Sequence, residues 1–118
     1  MKLIFYFLFI FLLSSCFIRD NPKIKITNNT TETIDSIEVF AHPINKTVFR
    51  NIKPKEKVKG IISFEGIPKQ DGGISLFTYI NGKKKGKGLS YYTLGGSLDY
   101  GFKVFIETDT IIITRTGW

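Results

Sequence analysis

Short stretches of the chain alternate apolar and polar residues with a period of two, which is typical of β-strands. Residues 24–27 show this alternation and are followed by the turn-rich run Asn28-Asn29-Thr30-Thr31, so we expect a first strand at a sheet edge. Residues 34–40 are rich in β-forming residues, but their apolar positions skip once, which permits a bulge or a short helical turn; we interpret them as a strand. Similar patterns predict strands at 47–52, 57–65, 74–80, 89–94, 101–106 and 110–115.

Turn residues separate these segments. Pro54 occupies the second position of Lys53-Pro54-Lys55-Glu56, and Asn81-Gly82 is the pair best able to adopt the positive φ angles of a two-residue hairpin. No window of about twelve residues or more keeps a helical apolar spacing. The sequence therefore predicts an all-β fold, a single antiparallel β-sandwich of seven or eight strands. It is similar to immunoglobulin-like domains in strand count and spacing, although it lacks their paired cysteines, and a transthyretin-like topology fits equally well.

The first residues follow a different pattern. Met1-Lys2 precedes an unbroken apolar run over residues 3–13, which as a helix would be about 16 Å long, far short of a ~30 Å hydrocarbon core. A positive start and a short apolar run are typical of an export signal peptide. Cleavage of an ordinary secretory signal peptide prefers a small residue where this chain has Leu13. An ordinary secretory signal peptide therefore fits this sequence poorly. The alternative is a short membrane-anchor helix with a buried cysteine, for which the run is too short.

The string Leu13-Ser14-Ser15-Cys16 closes the apolar run and contains the chain's only cysteine. It resembles a bacterial lipobox. The resemblance implies a cleaved lipoprotein signal peptide over 1–15, acylation of Cys16, a lipidated tether over 16–22 and a β-sandwich domain over 23–118. In the sorting pattern of enteric bacteria an Asp after the cysteine retains a protein at the inner membrane, and Phe17 therefore favours the outer membrane. The whole chain is similar to small uncharacterised lipoproteins of Bacteroidota.

Composition narrows the chemistry. The chain has 118 residues, the size of a single domain. It contains one Cys and one His, which argues against a His/Cys metal cage or a disulfide framework. We expect no metal and no cofactor. Lys and Arg number 17 against 10 Asp and Glu, a balance that favours an anionic neighbour, but nucleic acid is an improbable partner for an exported protein.

Two basic clusters stand out in the sequence. One contains Lys46, Arg50, Lys53, Lys55, Lys57 and Lys59, and the other follows the Asn-Gly turn as Lys83, Lys84, Lys85 and Lys87. The dense like charges of both clusters favour an anionic neighbour such as phosphorylated headgroups, lipopolysaccharide or an acidic protein, and the second cluster is the candidate binding site. The competing interpretation is that these lysines keep sheet edges soluble and unpaired.

A second candidate binding site is rich in tyrosine. Tyr91, Tyr92 and Tyr100 flank a glycine-containing centre, and such a segment can present aromatic faces to a protein or an envelope glycan. At a period of two, however, one of Tyr91 and Tyr92 must point into the core.

Support for catalysis is sparse. His42 follows a predicted strand, and Glu38 or Asp35 could lie near it as a general-base pair requires, but no nucleophile motif accompanies them and an exposed loop histidine is the default. The tripeptides Asp35-Ser36-Ile37 and Asp109-Thr110-Ile111 look like O-glycosylation sites of some exported bacterial proteins.

We therefore expect a lipoprotein that is not an enzyme but a binding or accessory module of the bacterial cell envelope. The lipid anchor would attach it to the membrane, and its partner would be a protein or an envelope glycan. Two alternatives remain: an inhibitor or immunity protein against a lysozyme or toxin, and a glycan-acting enzyme, which would need convergent carboxylates.

Overall fold

The computed structural model describes residues 21–116, which form nine β-strands and no helix. The strands are β1 (Lys23–Asn28), β2 (Ile34–Phe40), β3 (Thr47–Ile52), β4 (Lys57–Ile61), β5 (Gly72–Ile80), β6 (Lys83–Thr93), β7 (Gly96–Ser97), β8 (Gly101–Ile106) and β9 (Ile111–Thr116). They build a four-stranded sheet in the order β4-β1-β8-β9 and a five-stranded sheet in the order β3-β2-β5-β6-β7. The predicted all-β sandwich is confirmed.

The core lies between the two sheets. Alternate residues of each strand point inward, as the period of two requires, and one continuous apolar cluster joins the inner faces. The four-stranded sheet contributes Ile24, Ile26, Phe102, Val104 and Ile106, and the five-stranded sheet contributes Ile37, Val39, Ile74, Leu76, Leu89 and Tyr92. Burial of these side chains is the main favourable contribution to folding.

The expectation that the first strand lies at a sheet edge is wrong. β1 pairs antiparallel with β4 on one side and parallel with β8 on the other, so both of its edges are hydrogen-bonded. The parallel pair is the one exception to the otherwise antiparallel pairing of the described strands. The alternation of residues predicts a strand with one buried face, but it contains no information about its neighbours.

Strand boundaries also differ from the expected ones. β6 begins at Lys83, six residues before the predicted start at Leu89, because the Asn81-Gly82 hairpin pairs the lysine run directly with β5. Its register shifts between Ile74 and Ser75 of β5, a bulge that takes up an extra residue on β6. β4 ends at Ile61, and the two-residue β7 is a ninth strand that the sequence did not predict.

The skip in the apolar pattern of β2 has a structural counterpart. Ile34 pairs with Ile52, and Ser36 pairs with Arg50. Asn51 lies between the two pairs with a φ of 52°, a left-handed conformation that asparagine tolerates better than most residues. With this irregularity at Asn51, Ile34 and Ile52 are both buried in the core. Residues 34–40 form a strand, as predicted from the sequence.

Asn28 links three segments of the sandwich from a fully buried position: the end of β1, the loop that follows it and the end of β3. Its Nδ2 donates to the carbonyl oxygens of Ile52 and Glu32, at 2.9 Å each. Its Oδ1 accepts from the backbone N–H of Thr30 at 2.9 Å and from the Thr30 hydroxyl at 2.7 Å. All side-chain donors and acceptors of this asparagine are therefore used, and they hold the end of β1 to the loop before β2 and to the last residue of β3.

The predicted signal peptide, Cys16 and most of the predicted tether lie outside the described residues. Within residues 21–116, no helix has the length and apolar character needed to cross a bilayer.

Candidate functional site

The predicted lysine cluster lies on an edge segment of the five-stranded sheet. In the described part of the chain, β7 pairs only with Tyr92 and Thr93, so the lysine-bearing half of β6 has β5 on one side alone. Lys84 lies opposite Tyr79, and its Nζ stands 4.5 Å from the centroid of the Phe77 ring. This is a cation–π contact on the outer surface of the sheet.

Lys85 and Lys87 project from the opposite side of the same strand. Lys85 pairs with Thr78 and Lys87 pairs with Leu76, both of which are buried, and directly opposed residues share a face of a sheet. Charged side chains on the inward side of an edge strand are a known device against pairing with a second chain. Lys83 pairs with Ile80 and lies on the same side as Lys85 and Lys87, so the alternation separates Lys84 from the other three lysines of the cluster.

Tyr92 belongs to the core. Its side chain is 3% exposed, packs edge-to-face against Phe64 with ring centroids 5.2 Å apart, and covers Gly72. Tyr91 is 77% exposed. The prediction that one of the two tyrosines points inward is confirmed.

Four large exposed side chains cluster around the β6–β7 hairpin and the segment that follows it. They are Tyr91, Leu94, Leu98 and Tyr100, with exposed fractions of 77%, 68%, 53% and 60%. We call this surface the tyrosine edge. Residues 91–100 contain no Lys or Arg and a single carboxylate, Asp99, although the whole chain has a formal charge of +7.

The backbone of the tyrosine edge is held by hydrogen bonds. Tyr92 pairs with Ser97, and the Ser90 hydroxyl donates to Asp99 Oδ2 at 2.6 Å, which extends the same register by two residues. The Ser97 hydroxyl donates to the backbone carbonyl oxygen of Asp99 at 2.9 Å. Continuing the register places Leu98 opposite Tyr91 on the outer surface.

Leu94 occupies a strained position at the hairpin tip. Leu94 and Gly95 have φ angles of 49° and 71° and connect the paired residues Thr93 and Gly96, which is the pattern of a type I′ hairpin. Positive φ is uncommon for a leucine and costs on the order of 1 kcal/mol. Strained backbone of this kind is concentrated at functional sites.

The predicted lysines and tyrosines do not form one surface. Lys84 and Tyr91 both point outward from β6, but they are seven positions apart along the strand, which corresponds to roughly 23 Å. Lys84 lies near one end of the sheet, and the tyrosine edge lies near the other.

A more concentrated basic surface covers the outer face of the four-stranded sheet. Lys25 pairs with Lys59 of β4 and with Lys103 of β8, so three lysines form a row across three adjacent strands. The same face carries Lys23 and Lys57 at alternate positions. We call these five residues, Lys23, Lys25, Lys57, Lys59 and Lys103, the lysine face. Strands β1, β4, β8 and β9 contain no Asp or Glu.

Mutual repulsion within the lysine face affects the protonation of its central member. Lys57 and Lys59 lower the pKa of Lys25 below its ordinary value of 10.5, and partial desolvation and Lys103 lower it further. Beside this row lies an open depression of about 420 Å³, lined by Lys23, Lys25, Lys59, Ile61 and Lys103 together with strand backbone.

Sequence reasoning placed Lys57 and Lys59 in a basic cluster but missed the lysine face as a whole, because Lys23, Lys25 and Lys103 are far from them in the chain. The strings Lys-Ile-Lys at 23–25 and Lys-Val-Lys at 57–59 do indicate one basic face on each strand. Only the pairing of β1 with both β4 and β8 brings Lys103 beside them.

The three residues considered for catalysis, His42, Asp35 and Glu38, each contact other residues of the domain. His42 Nδ1 accepts the backbone N–H of Ile44 at 3.3 Å, Asp35 accepts the N–H of Asn81 at 3.0 Å, and Glu38 forms a 3.7 Å ion pair with Lys46. They are not hydrogen-bonded to one another. No group of His, Cys, Asp and Glu within residues 21–116 has the arrangement of a metal site.

Comparisons with known proteins give a structural likeness and no sequence relative. No family model matches the chain, and no curated protein is similar to it in sequence. The chain is similar to a protein from Eubacterium rectale whose structure was solved by NMR, with a TM-score of 0.50 and 13% sequence identity. The likeness covers 80% of this chain and 87% of the other. At this identity it concerns the fold alone.

Proposed function

We propose that this chain is a lipid-anchored, non-enzymatic binding module of the bacterial cell envelope, and that its partner is a protein bound through the tyrosine edge. The observation that carries the proposal is the exposure of Tyr91, Leu94, Leu98 and Tyr100 around one ordered hairpin. Exposed apolar side chains that are grouped, and not scattered singly, are typical of interaction surfaces.

The chemistry of the tyrosine edge favours a protein partner. Tyrosine combines a large apolar ring with a polar tip and is enriched among the residues that contribute most to interface affinity. The near absence of charge from residues 91–100 matches the composition of interface cores, from which charged residues are depleted. Hydrogen bonds from Ser90 and Ser97 to Asp99 preorganise the surface, which reduces the entropy lost on binding.

The exposed tip also supports a second candidate, an inhibitor or immunity protein. Leu94 projects from a two-residue hairpin and is 68% exposed, and a rigid apolar tip of this kind can enter a cleft of a target enzyme. The two versions differ in what the partner loses on binding: an accessory module leaves its partner's activity in place, whereas an inhibitor abolishes it.

The anchor is proposed from the lipobox resemblance of Leu13-Ser14-Ser15-Cys16. Acylation would convert the only cysteine of the chain into a thioether with no redox chemistry, and several acyl chains give stable attachment. We propose the outer membrane as its location. Mass analysis of the native protein should give a mature chain that begins at Cys16 and carries fatty acyl groups, and an intact leader or a free thiol would contradict the anchor.

Site-specific photo-crosslinking in the native envelope tests the partner surface. A photoreactive phenylalanine analogue at position 91 or 98 should give one discrete adduct, whereas the same analogue at position 44, where Ile44 is 63% exposed, should give none. Once the partner is identified from the adduct, Tyr91→Ala should weaken its binding about 30-fold, the effect of losing one dominant interface residue. Equal adducts at all three positions, or unchanged affinity, would overturn the proposal.

A further inference from the structure

The lysine face is the densest uncompensated charge in the described part of the chain. No ion pair or hydrogen bond through the ammonium groups of its five lysines is formed with any residue in 21–116. Two lysines elsewhere do have partners: Lys46 pairs with Glu38 at 3.7 Å and also lies over the Phe40 ring, and Lys84 lies over Phe77.

This arrangement is unfavourable for the protein alone. Like charges directly opposite one another on neighbouring strands are destabilising, and Lys25 faces a lysine on each side. The lowered pKa of Lys25 has the same origin, because Lys57 and Lys59 disfavour its charged form. A ligand with several negative charges, spread over the same area, would remove the repulsion.

The shape of the surface selects for a broad anionic ligand. Adjacent strands lie about 4.8 Å apart, so the row from Lys59 through Lys25 to Lys103 spans roughly 10 Å across the sheet. The depression beside it is open, unlike the enclosed pockets that hold single small molecules. Exposed apolar residues flank the lysines, with Ile61 on β4 and Ile112 on β9, as expected for a surface that contacts the boundary between headgroups and acyl chains.

The position of the lysine face in the chain identifies the source of the charge. Lys23 is both the first residue of β1 and a member of the face, and it follows Cys16 by seven residues. Seven residues reach at most about 25 Å, so an acylated Cys16 would keep the lysine face close to the headgroups. We propose that the lysine face binds the phosphate-bearing headgroups of the membrane to which the chain is anchored, an inference that rests on the proposed lipid anchor.

The proposal also fixes the orientation of the domain. Tyr91 points outward from the five-stranded sheet and the lysine face points outward from the four-stranded sheet, so Tyr91 and the lysine face lie on opposite sides of the sandwich. Tyr100, whose carbonyl oxygen accepts the backbone N–H of Lys23 at 3.1 Å, lies at the border of the lysine face. With the lysine face on the membrane, Tyr91 and Leu98 on the opposite sheet are free to bind a partner.

The test measures the chemical accessibility of individual lysines in the native lipidated protein on vesicles. The protein is reconstituted into phosphatidylcholine vesicles, with or without about one-third phosphatidylglycerol, and its amines are partially acetylated and quantified by mass spectrometry. Modification of Lys25, Lys59 and Lys103 should be about fivefold slower on the anionic vesicles, given the usual contribution of a lysine near an anionic surface. Modification of Lys83, Lys85 and Lys87 should be unchanged, and high salt should remove the difference.

A matched pair of variants assigns the effect to the surface. Lys25→Gln/Lys59→Gln/Lys103→Gln should abolish the protection of the two remaining members, Lys23 and Lys57. The control Lys83→Gln/Lys85→Gln/Lys87→Gln removes the same charge and should preserve it. Protection that survives the first triple substitution, or is lost in the second, would overturn the proposal.

Two further readouts separate the possible failures. If the native protein carries no acyl group and does not float with neutral vesicles, the proposed anchor fails. If it is acylated and floats, but its lysines react equally on both vesicles, the inference about the lysine face fails. Protection by 10 mM inorganic phosphate on neutral vesicles, to the extent found on anionic ones, would indicate a site for a free anion and would also overturn it.

Discussion

Asp71 Oδ1 accepts a 3.1 Å hydrogen bond from the backbone N–H of Leu94 at the tip of the β6–β7 hairpin. The next residue, Gly95, donates its N–H to the carbonyl oxygen of Gln70 at 3.1 Å. The loop before β5 therefore holds both residues of the turn, including a leucine at positive φ. An unfavourable backbone conformation persists where the surroundings determine it, and here it leaves an apolar side chain exposed.

Leu94→Asn should stabilise the fold while weakening the proposed interaction. The substitution supplies an Asn-Gly pair, the preferred one for a two-residue hairpin, and removes a side chain that is mostly solvent-exposed. We expect the free energy of unfolding in denaturant to rise by about 0.5–1 kcal/mol, and the cross-link from position 91 to decrease.

The other two-residue hairpin provides the reciprocal control. Asn81 and Gly82 have φ angles of 50° and 74°, close to those of the Leu94 turn. Asn81→Leu should therefore lower the free energy of unfolding by about 1 kcal/mol. Destabilisation by Leu94→Asn would show that Leu94 is retained for packing and not for recognition.

These two hairpins show what local sequence can predict. Asn81-Gly82 was predicted as a hairpin because the residues themselves favour positive φ, and the structure confirms it. Leu94-Gly95 was missed because leucine is not a turn residue, and its conformation depends on contacts from Asp71 and Gln70. Local propensity predicts the first turn, whereas tertiary contacts determine the second.

Asn28→Ala should be among the most destabilising single substitutions. It removes four hydrogen bonds from a fully buried side chain and leaves buried groups of the backbone without partners. We expect a loss of about 2–4 kcal/mol in the free energy of unfolding. The neighbouring Asn29→Ala removes one exposed contact to Glu107 and should cost less than about 0.5 kcal/mol. Similar losses for both would refute the linking role of Asn28.

Gly72→Ala should destabilise the fold through Tyr92. A Cβ atom at Gly72 would overlap the Tyr92 ring, which is buried and fixed by its contact with Phe64. Overpacking of this kind typically costs about 1–3 kcal/mol. Gly73→Ala is the control, since the nearest atom would be the Ser90 carbonyl oxygen at 3.8 Å. Thermal unfolding of the two variants should separate them, and equal melting temperatures would contradict the packing argument.

Lys85→Thr/Lys87→Thr should promote self-association. The double substitution removes two of the three charges on the inward side of the edge half of β6, leaving Lys83 at its start, and makes the strand better able to pair with a second chain. Sedimentation should show dimers or larger species whose fraction grows with protein concentration. Lys84→Thr, which changes only the outer surface, should remain at the oligomeric state of the unsubstituted protein. A monodisperse double variant would argue against edge protection by these lysines.

The candidate surfaces were predictable to different extents. Exposure of one of Tyr91 and Tyr92 follows from strand periodicity alone, and the structure identifies it as Tyr91. The lysine face depends on the parallel pairing of β1 with β8, between strands more than 70 residues apart in the chain. Residue alternation shows which side chains share a face of one strand, but it does not show which strands are neighbours.

The protonation of Lys25 should report the repulsion within the lysine face. Because the folded state lowers its pKa, the unfolded chain binds more protons between that lowered pKa and 10.5. The free energy of unfolding should therefore rise with pH through this window, and the destabilisation caused by repulsion around Lys25 should be fully present below it. In an NMR titration of the Lys25 side chain, Lys57→Gln or Lys59→Gln should each raise its pKa toward 10.5, whereas Lys83→Gln should leave it unchanged. A Lys25 pKa that does not respond to Lys57 or Lys59 would show that these lysines do not act as one charged surface.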